Sequence, residues 1–557
     1  MSRVYDISNN FVEASAALDP IAATARGVTG HDEAMTDYSP AGEEARAELA
    51  RRTLTQLRSA AVEGERDRLA VACLEESLQA SFSHFEAGEH LRSLRVLGSP
   101  VQSIRRVFDL MPKSSAEDWR TIARRLALVP RTLEGFRASL EDGLRAGKAA
   151  APRQARACAA QALTWSGKKD GRSYFARLVE EFEAKNLDAP GLVADLATAA
   201  SAAGAAYEEL ASYLGEYASR TRAPDAVGME RYALWSRLAT GANLDLAETY
   251  AWGWSEFRWV EQAMRATAGR IKPGASIEEA TGALETDRAR TIEGEEAFRG
   301  WMQELQDRTI AELDGRHFDV PAPVRRIEAM IAPPGGALAM YYTPPAEDFS
   351  RPGRTWYPTG GRTTFPLWRE VSIAYHEGVP GHHFQIGTTR FLSNRLSRYQ
   401  RIASFSGYSE GWALYAERLM GELGYLQDPA HYMGMLTAQA MRSVRVIIDI
   451  GMHLGLKIPS DSDFHPGETW TPELGLEFLL ARSRFPADFM RSEVDRYLGL
   501  PGQAISYKVG ERVWLESRAA AKSAGGPRFN LKSWHNRALS IGPLGLDRLR
   551  QELATPA

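Results

Sequence analysis

Apolar residues recur every three or four positions through the first half of this chain. Between about residues 41 and 270 the sequence is rich in Ala, Leu, Glu and Arg, as in EEARAELARRTLTQL. This spacing places the apolar side chains on one face of an α-helix. Short segments with Gly, Pro and Asp, such as VLGSP at 96–100, separate the helices, and no fixed repeat length occurs. The first half is therefore predicted to be an irregular array of amphipathic helices.

The length of the chain indicates more than one lobe. It has 557 residues, whereas single hydrophobic cores stop growing near roughly 250–300 residues. The segment 320–366 is dense in Pro and Gly and contains a β-like run from Ala337 to Tyr342. We predict a mainly helical N-terminal lobe at 1–320 and a second lobe at 321–557, within one continuous fold unit. A small β element would precede the helix that starts near Pro366.

Further helices are expected in the second half. Their predicted ranges are about 407–423, 430–456, 472–482 and 485–498.

The composition excludes several classes of protein. Hydrophobic residues make up 44% and charged residues 25% of the chain, with a net charge of −4, as in ordinary globular proteins. This balance offers no basic surface for nucleic acid. The N-terminus lacks the apolar run of a signal peptide, and no stretch of about 20 apolar residues occurs. We expect no nucleic-acid partner, no membrane span and a cytoplasmic location, while the oligomeric state stays open.

Three of the eleven histidines lie in the segment YHEGVPGHHF, residues 375–384. In a His-Glu-x-x-His turn, two histidines four residues apart point at one zinc ion. Here His376 is followed by histidines six and seven positions later. On a straight helix neither pair could bring both nitrogens within about 2.0–2.1 Å of one metal.

Pro380 and Gly381 provide a way around this spacing. Proline lacks the amide proton that a helix needs and collides with the preceding turn, while glycine adopts backbone angles that other residues avoid. A loop-out of about two residues would return His382 to the face of His376. We favour His382 over His383 because the required compression is smaller, and His383 stays open as an alternative ligand or a neighbouring group.

A catalytic zinc takes three protein ligands, so a third is expected on another helix. The segment GYSEGWALYAERL contains Glu410, which we assign as this ligand, and Glu417 one heptad later on nearly the same face. Glu417 is a candidate to accept the second ring proton of a ligating histidine. Glu377 points away from His376 and is better placed as a general base.

Four motifs in this order, YHEGVPGHHFQ, GYSEGWALYAERL, RSVRVIIDIGMH and PGQAISYKVGE, resemble the bacterial domain-of-unknown-function 885 family over nearly the whole chain. That family is similar to the helical zinc peptidases of the thimet oligopeptidase and angiotensin-converting enzyme type. The resemblance implies a mainly α, two-lobed metallopeptidase-like fold around a long cleft. It also implies that His376, His382 and Glu410 bind Zn²⁺ and that Glu377 is the base.

Further residues are candidates for contacts with a substrate. Tyr507 is a candidate oxyanion donor, mainly because the similar peptidases have a late tyrosine, and His453 is a second candidate donor. Lys508, Arg442 and Arg445 are candidates to bind a terminal carboxylate. The run ALAMYY is a candidate strand edge for an extended peptide.

The sequence thus favours a zinc-dependent hydrolase that cleaves peptide bonds of short peptides, as an oligopeptidase, a dipeptidase or a carboxypeptidase-like enzyme. One alternative is a zinc hydrolase of non-peptide amides or esters. Another is a non-catalytic helical scaffold whose histidines are structural. Two histidines and a carboxylate also form the facial triad of iron oxygenases, but that chemistry has no use for a base at Glu377.

Overall fold

The structure is a computed structural model that describes residues 2–169, 171–332 and 340–554. The chain divides into two compact units. The first consists of Met1–Ala61, Ser77–Val227 and Asp495–Leu500, and the second of Val62–Glu76, Gly228–Val494 and Pro501–Ala557. The predicted lobe boundary near residue 320 lies inside the second unit.

The first unit is helical, as its apolar periodicity predicts. Its helices are α1 Arg3–Leu18, α2 Pro20–Arg26, α3 Pro40–Ser59, α4 Glu65–Glu86, α5 Pro100–Leu110, α6 Ala116–Leu126, α7 Val129–Arg145, α8 Pro152–Ser166, α9 Tyr174–Glu183 and α10 Leu192–Arg220. The first half of α4 belongs to the second unit.

Helix α6 shows how the local sequence produces this unit. Ser115 and Asp118 form a capping box, in which each side chain accepts a hydrogen bond from the other residue's backbone amide at 3.2 and 2.8 Å. This satisfies amides that the helix start leaves without partners. Trp119, Ile122 and Leu126 then follow at helical spacing and are completely buried in the core of the first unit. The periodic face and the cap together specify the helix.

The second unit contains more helices and all the strands of the described residues. Its helices are α11 Gly228–Thr240, α12 Leu246–Ile271, α13 Ile277–Thr286, α14 Glu295–Leu313, α15 Glu370–Glu377, α16 His382–Phe391, α17 Arg398–Ile402, α18 Ser406–Glu422, α19 Pro429–Leu454, α20 Pro472–Ser483, α21 Ala487–Gly499, α22 Ser506–Gly525, α23 Leu531–Ser540 and α24 Leu546–Ala554. Its strands are β1 Thr291–Glu293, β2 Ile327–Ile331, β3 Tyr341–Thr343, β4 Gly353–Tyr357 and β5 Thr364–Pro366. The last turn of α21 belongs to the first unit.

The strands form two small sheets. Strands β1 and β5 pair antiparallel, while a three-stranded sheet has the order β2-β4-β3. Strand β4 runs parallel to β2, with Ile327 opposite Gly353, and antiparallel to β3, with Tyr342 opposite Thr355. Alternate residues of β4 are buried, as expected of a strand with one covered face. Strand β3 therefore lies at an edge of this sheet.

The prediction of a mainly helical chain is confirmed, and the four helices expected after residue 400 correspond to α18 to α21. The predicted helix start near Pro366 is wrong, because Pro366 ends β5 and the helix begins at Glu370. The predicted run Ala337 to Tyr342 lies partly outside the described residues, and its end falls in β3. Among the described helices, none has the length and apolar character needed to cross a membrane.

Close helix packing positions the candidate site. Helix α15 contacts α18 and α19, and α18 packs along α22. Gly411 of α18 and Gly510 of α22 face each other so closely that a Cβ on either would collide with the backbone of the other helix. This approach requires glycine at both positions.

Candidate metal centre

The predicted interruption of the histidine helix is present. Helix α15 ends at Glu377, α16 begins at His382, and the four residues between them are not helical. A Cβ at Gly381 would collide with the carbonyl oxygen of His376, so only glycine fits this tight connection. The indole of Trp412 on α18 donates to the carbonyl of Pro380 at 2.7 Å. The Pro-Gly segment thus joins two short helices whose histidines converge.

His376, His382 and Glu410 form a cluster in which the candidate ligand atoms all lie within 4.8 Å of one another. The carboxylate oxygen Oε2 of Glu410 lies 3.5 Å from Nε2 of His376 and 3.3 Å from Nε2 of His382. Ligands at about 2.0–2.1 Å from a tetrahedral zinc are separated by about 3.3 Å. Both oxygen–nitrogen separations are therefore compatible with ligands of one zinc ion.

Glu417 accepts a hydrogen bond from the second ring nitrogen of His376. Its Oε1 lies 2.7 Å from Nδ1 of His376, and Ser372 also donates to this fully buried carboxylate. Because a carboxylate can only accept this hydrogen bond, Nδ1 of His376 carries a proton, and Nε2 is the ring nitrogen that faces Glu410. Burial raises the pKa of Glu417, but the charge of Arg442 and the bond to His376 bring the pKa below its ordinary value. Glu417 therefore stays ionised and orients a candidate ligand.

The histidines and carboxylates of the cluster shift one another's pKa values. Burial lowers the pKa of His376, but hydrogen bonds to Glu410 and Glu417 outweigh it and raise the pKa to about 9. Burial likewise raises the pKa of Glu410, yet the charge of His382 and hydrogen bonds to both histidines bring it well below the usual range. A metal ion must therefore displace a proton from His376 to bind at neutral pH.

Glu377 is buried next to this cluster. Within the described part of the chain, its carboxylate has no hydrogen bond or ion pair. Its charge acts on the phenol of Tyr342, whose pKa is raised mainly by burial. The role of Glu377 as a general base stays a prediction.

His383 lies outside the cluster. Its Nε2 is 2.7 Å from the carbonyl oxygen of Val324, and its Nδ1 is 2.9 Å from the hydroxyl of Tyr342. Burial lowers its pKa to about 4. Since one helical residue corresponds to a rotation of about 100°, His383 points at the sheet while His382 points at Glu410. The structure thus separates the two histidines that the sequence left undecided.

Lys508 and Arg445 are held in buried ion pairs, which argues against their predicted contact with a substrate carboxylate. Lys508 is completely buried and donates to Glu256 at 2.8 Å, to Gln439 at 2.7 Å and to Glu511. Arg445 donates to the buried Glu493 at 2.6 Å. Binding a substrate through either cation would leave a buried carboxylate uncompensated.

Arg442 and Tyr507 lie on the Glu417 side of the cluster. The guanidinium of Arg442 is 3.6 Å from Glu417 and 5.7 Å from the centre of the Tyr507 ring. Arg445 lies 4.8 Å from the same ring. Tyr507 is half-buried between two arginines, and Arg442 lies between its ring and Glu417.

His453 is part of the interior of α19. Its ring centre lies 5.5 Å from that of Tyr232, and its Nε2 lies 3.7 Å from Asp449, which accepts a hydrogen bond from the Tyr232 hydroxyl. The structure places His453 in this packed group and not in the metal cluster.

Sequence reasoning missed Ser372 and the contact of Arg442 with Glu417. Ser372 lies four positions before His376, so a search for polar residues one helical turn from each candidate ligand would have found it. The role of Arg442 beside Glu417 had no such signal, because the two residues lie on different helices.

The comparisons with known proteins agree with this fold. The chain belongs to the family described as bacterial protein of unknown function (DUF885), whose sequence profile matches residues 20–553. A crystal structure of a candidate lipoprotein from Colwellia psychrerythraea is similar, with a TM-score of 0.84, 19% identity and 99% of each chain covered. A candidate lipoprotein of unknown function from Shewanella oneidensis matches with a TM-score of 0.74, 15% identity and 99% of each chain covered. No curated protein matches the chain.

Proposed function

We propose that this chain is a zinc-dependent hydrolase that cleaves peptide bonds of short peptides. The observation that carries the proposal is the convergence of two imidazole nitrogens and one carboxylate oxygen beside a carboxylate without a partner. His376, His382 and Glu410 would hold the metal, and Glu377 would act as the base. The resemblance to helical zinc peptidases supports the same assignment.

A zinc ion held by His376, His382 and Glu410 would supply a Lewis acid that polarises a substrate carbonyl and lowers the pKa of water. Glu377 would accept the proton of the attacking water and then deliver it to the departing amine, so that the amine leaves as a neutral molecule. Glu417 keeps the proton of His376 on Nδ1 and thereby keeps Nε2 available as a ligand atom. Ser372 and Arg442 hold Glu417 in place and ionised.

The edge of β3 supports a peptide as the substrate. Within the described residues, β3 pairs with β4 on one side only, so the backbone groups of its other side can pair with an extended chain. A peptide lying there would be bound through its main chain, which suits cleavage of varied sequences. Tyr507 and Arg442 are the candidates to contact the substrate from the other side.

The test combines metal analysis with cleavage of a mixed peptide pool, followed by mass spectrometry. The purified chain should contain zinc and cleave short peptides. Glu377→Gln should keep the zinc and lose about 10²- to 10⁴-fold in turnover, since this is the usual contribution of a positioned base.

The matched control is Glu370→Gln, the same substitution on the same helix. Burial raises the pKa of Glu370 to about 7, so a neutral amide resembles its protonated form. This variant should keep both zinc and turnover. Full activity of Glu377→Gln, or a chain that takes up no zinc, would overturn the proposal. Cleavage of acyl amides or esters without cleavage of any peptide would show that the substrates are non-peptide amides or esters.

A further inference from the structure

His383 uses both ring nitrogens on the three-stranded sheet. The carbonyl of Val324 can only accept a hydrogen bond, so Nε2 of His383, at 2.7 Å, is the donor. Nδ1 of the same neutral ring must then accept, and the Tyr342 hydroxyl donates to it at 2.9 Å. The imidazole is completely buried, so both bonds are shielded from water.

Three parts of the sheet region meet at this imidazole. Val324 lies just before β2, Tyr342 is the central residue of the edge strand β3, and Gly353 begins β4. A Cβ at Gly353 would collide with Nδ1 of His383 and with the Tyr342 hydroxyl. Strand β4 therefore lies directly on the hydrogen bond between them, and glycine is required for this approach.

The same imidazole is joined to the candidate metal centre. His383 directly follows His382 in the first turn of α16, so a shift of one displaces the other. Tyr342 also lies within reach of the charge of Glu377. The position of the β3 edge relative to the ligand His382 is thus set through one peptide bond and one hydrogen bond.

We infer that His383 and Tyr342 are positioning residues for the substrate, an inference that depends on the function proposed above. Their hydrogen bond holds the edge of β3 at a fixed distance from the metal cluster. It thereby sets the register in which an extended peptide presents its scissile bond to Glu377. Such placement matters because small displacements of a substrate strongly reduce catalysis. Peptides long enough to pair with β3 are the substrates that depend on it.

Tyr342→Phe removes only the hydroxyl and tests this role. Backbone amides of β3 should exchange hydrogen faster in the zinc-loaded variant, with an unchanged zinc content. For peptides long enough to pair with β3, KM should rise about three- to tenfold, as expected for loss of one neutral hydrogen bond. A blocked dipeptide that does not reach the strand should show no such increase.

Tyr415→Phe is the matched control. The Tyr415 hydroxyl lies 2.7 Å from Nε2 of the buried His535, so this variant also loses a buried Tyr–His hydrogen bond. Tyr415 lies on α18 among aromatic side chains, and its hydrogen bonds are with His535 and Arg518. The melting temperature of Tyr415→Phe should fall about as much as that of Tyr342→Phe. Its β3 amides should not exchange faster, and its KM should not change with the length of the peptide.

Gly353→Ala provides a second variant, because it disturbs the contact and keeps both hydrogen-bonding groups. It should reproduce the faster exchange of β3 and the increase in KM for long peptides. If the β3 amides of Tyr342→Phe and Gly353→Ala exchange hydrogen no faster than those of Tyr415→Phe, the hydrogen bond does not anchor β3. Faster exchange with equal KM changes for long and short substrates would overturn the role in register. Failure of the parent chain to cleave any peptide would count against the proposed function, and exchange would still decide the anchoring.

Discussion

The two units bury very different side chains. In the described residues of the first unit, the buried ionisable residues other than Cys and Tyr are His84, Glu89 and Arg125. The second unit buries a much larger set, which consists of Asp67, Glu261, Glu370, His376, Glu377, His382, His383, Glu417, Arg445, Asp449, His453, Glu493, Lys508, Glu511, His535 and Glu552. The first unit is held together mainly by apolar contacts between helices. The second unit combines such contacts with buried charge.

Burying a charge costs free energy unless a partner compensates it, and ion pairs seldom stabilise a fold more than apolar packing does. Arg125 in the first unit serves a local purpose, since it donates to Thr24 and to the carbonyl of Pro20. In the second unit, His376, Glu417 and Arg442 join three helices around the candidate ligands. The comparison indicates that buried charged side chains concentrate in the unit where the positions of the candidate ligands have to be fixed.

Removal of a candidate metal ligand should give the largest difference in effect between substitutions in the two units. His376→Ala is expected to reduce zinc affinity by more than the roughly 10- to 100-fold that loss of an outer group costs. His84→Ala, which removes a buried histidine of the first unit, should leave zinc content unchanged. Equilibrium dialysis followed by metal analysis measures both. Equal zinc retention in the two variants would remove the distinction between the units.

The free energy of unfolding tests how each unit is stabilised. Lys508→Met should cost about 3–5 kcal/mol, because it leaves buried carboxylates without their cation. Trp119→Ala in the first unit should cost about 3–5 kcal/mol through lost packing, with no effect on zinc. Urea denaturation monitored by circular dichroism measures both. A stable Lys508→Met variant with a higher KM would instead restore Lys508 as a residue that binds substrate.

Glu417→Gln tests the orientation of His376. An amide in place of the carboxylate weakens the hold on the Nδ1 proton, so zinc affinity should fall about 10- to 100-fold. The control is Glu422→Gln on the same helix, where the carboxylate pairs with Arg518 at the surface. Competition with a chelator measures the affinities. An unchanged affinity in Glu417→Gln would show that Glu417 is only structural.

Acidification should have a smaller, graded effect. Because hydrogen bonds raise the pKa of His376 to about 9, its imidazole carries a second proton, on Nε2, below that pH, and zinc must displace it. Zinc affinity should therefore decrease as the pH falls from 8.5 to 6.5, by about tenfold per pH unit for each displaced proton. Calorimetry in two buffers of different ionisation enthalpy should detect proton release at pH 7.5. Binding without proton release would contradict the coupling described for the cluster.

Most of the correct predictions came from local patterns in the sequence. The helices after residue 400 were placed within a few residues because apolar periodicity, caps and prolines act within one or two turns. The convergence of His376, His382 and Glu410 followed from the break that Pro380 and Gly381 impose. The start of α15 was misplaced because Pro366 is equally suited to the end of an edge strand.

Other features depended on residues far apart in the chain. The choice between His382 and His383 was decided by Val324 and Tyr342, which lie 59 and 41 positions from His383. The burial of Lys508 depends on Glu256, 252 positions away. Neither pairing leaves a trace in the local periodicity of the sequence.

The sequence by itself determined the helical character of the chain and the break in the histidine helix, and it indicated His376 and Glu410 as candidate ligands with His382 favoured over His383. These depend on backbone sterics and on the period of the helix, which act over a few residues. The tertiary structure alone decided which nitrogens converge, which cations are held in ion pairs, and which strand lies at the edge of the three-stranded sheet of the described residues. Those outcomes depend on packing between distant segments, where a difference of one residue turns a side chain towards a different partner.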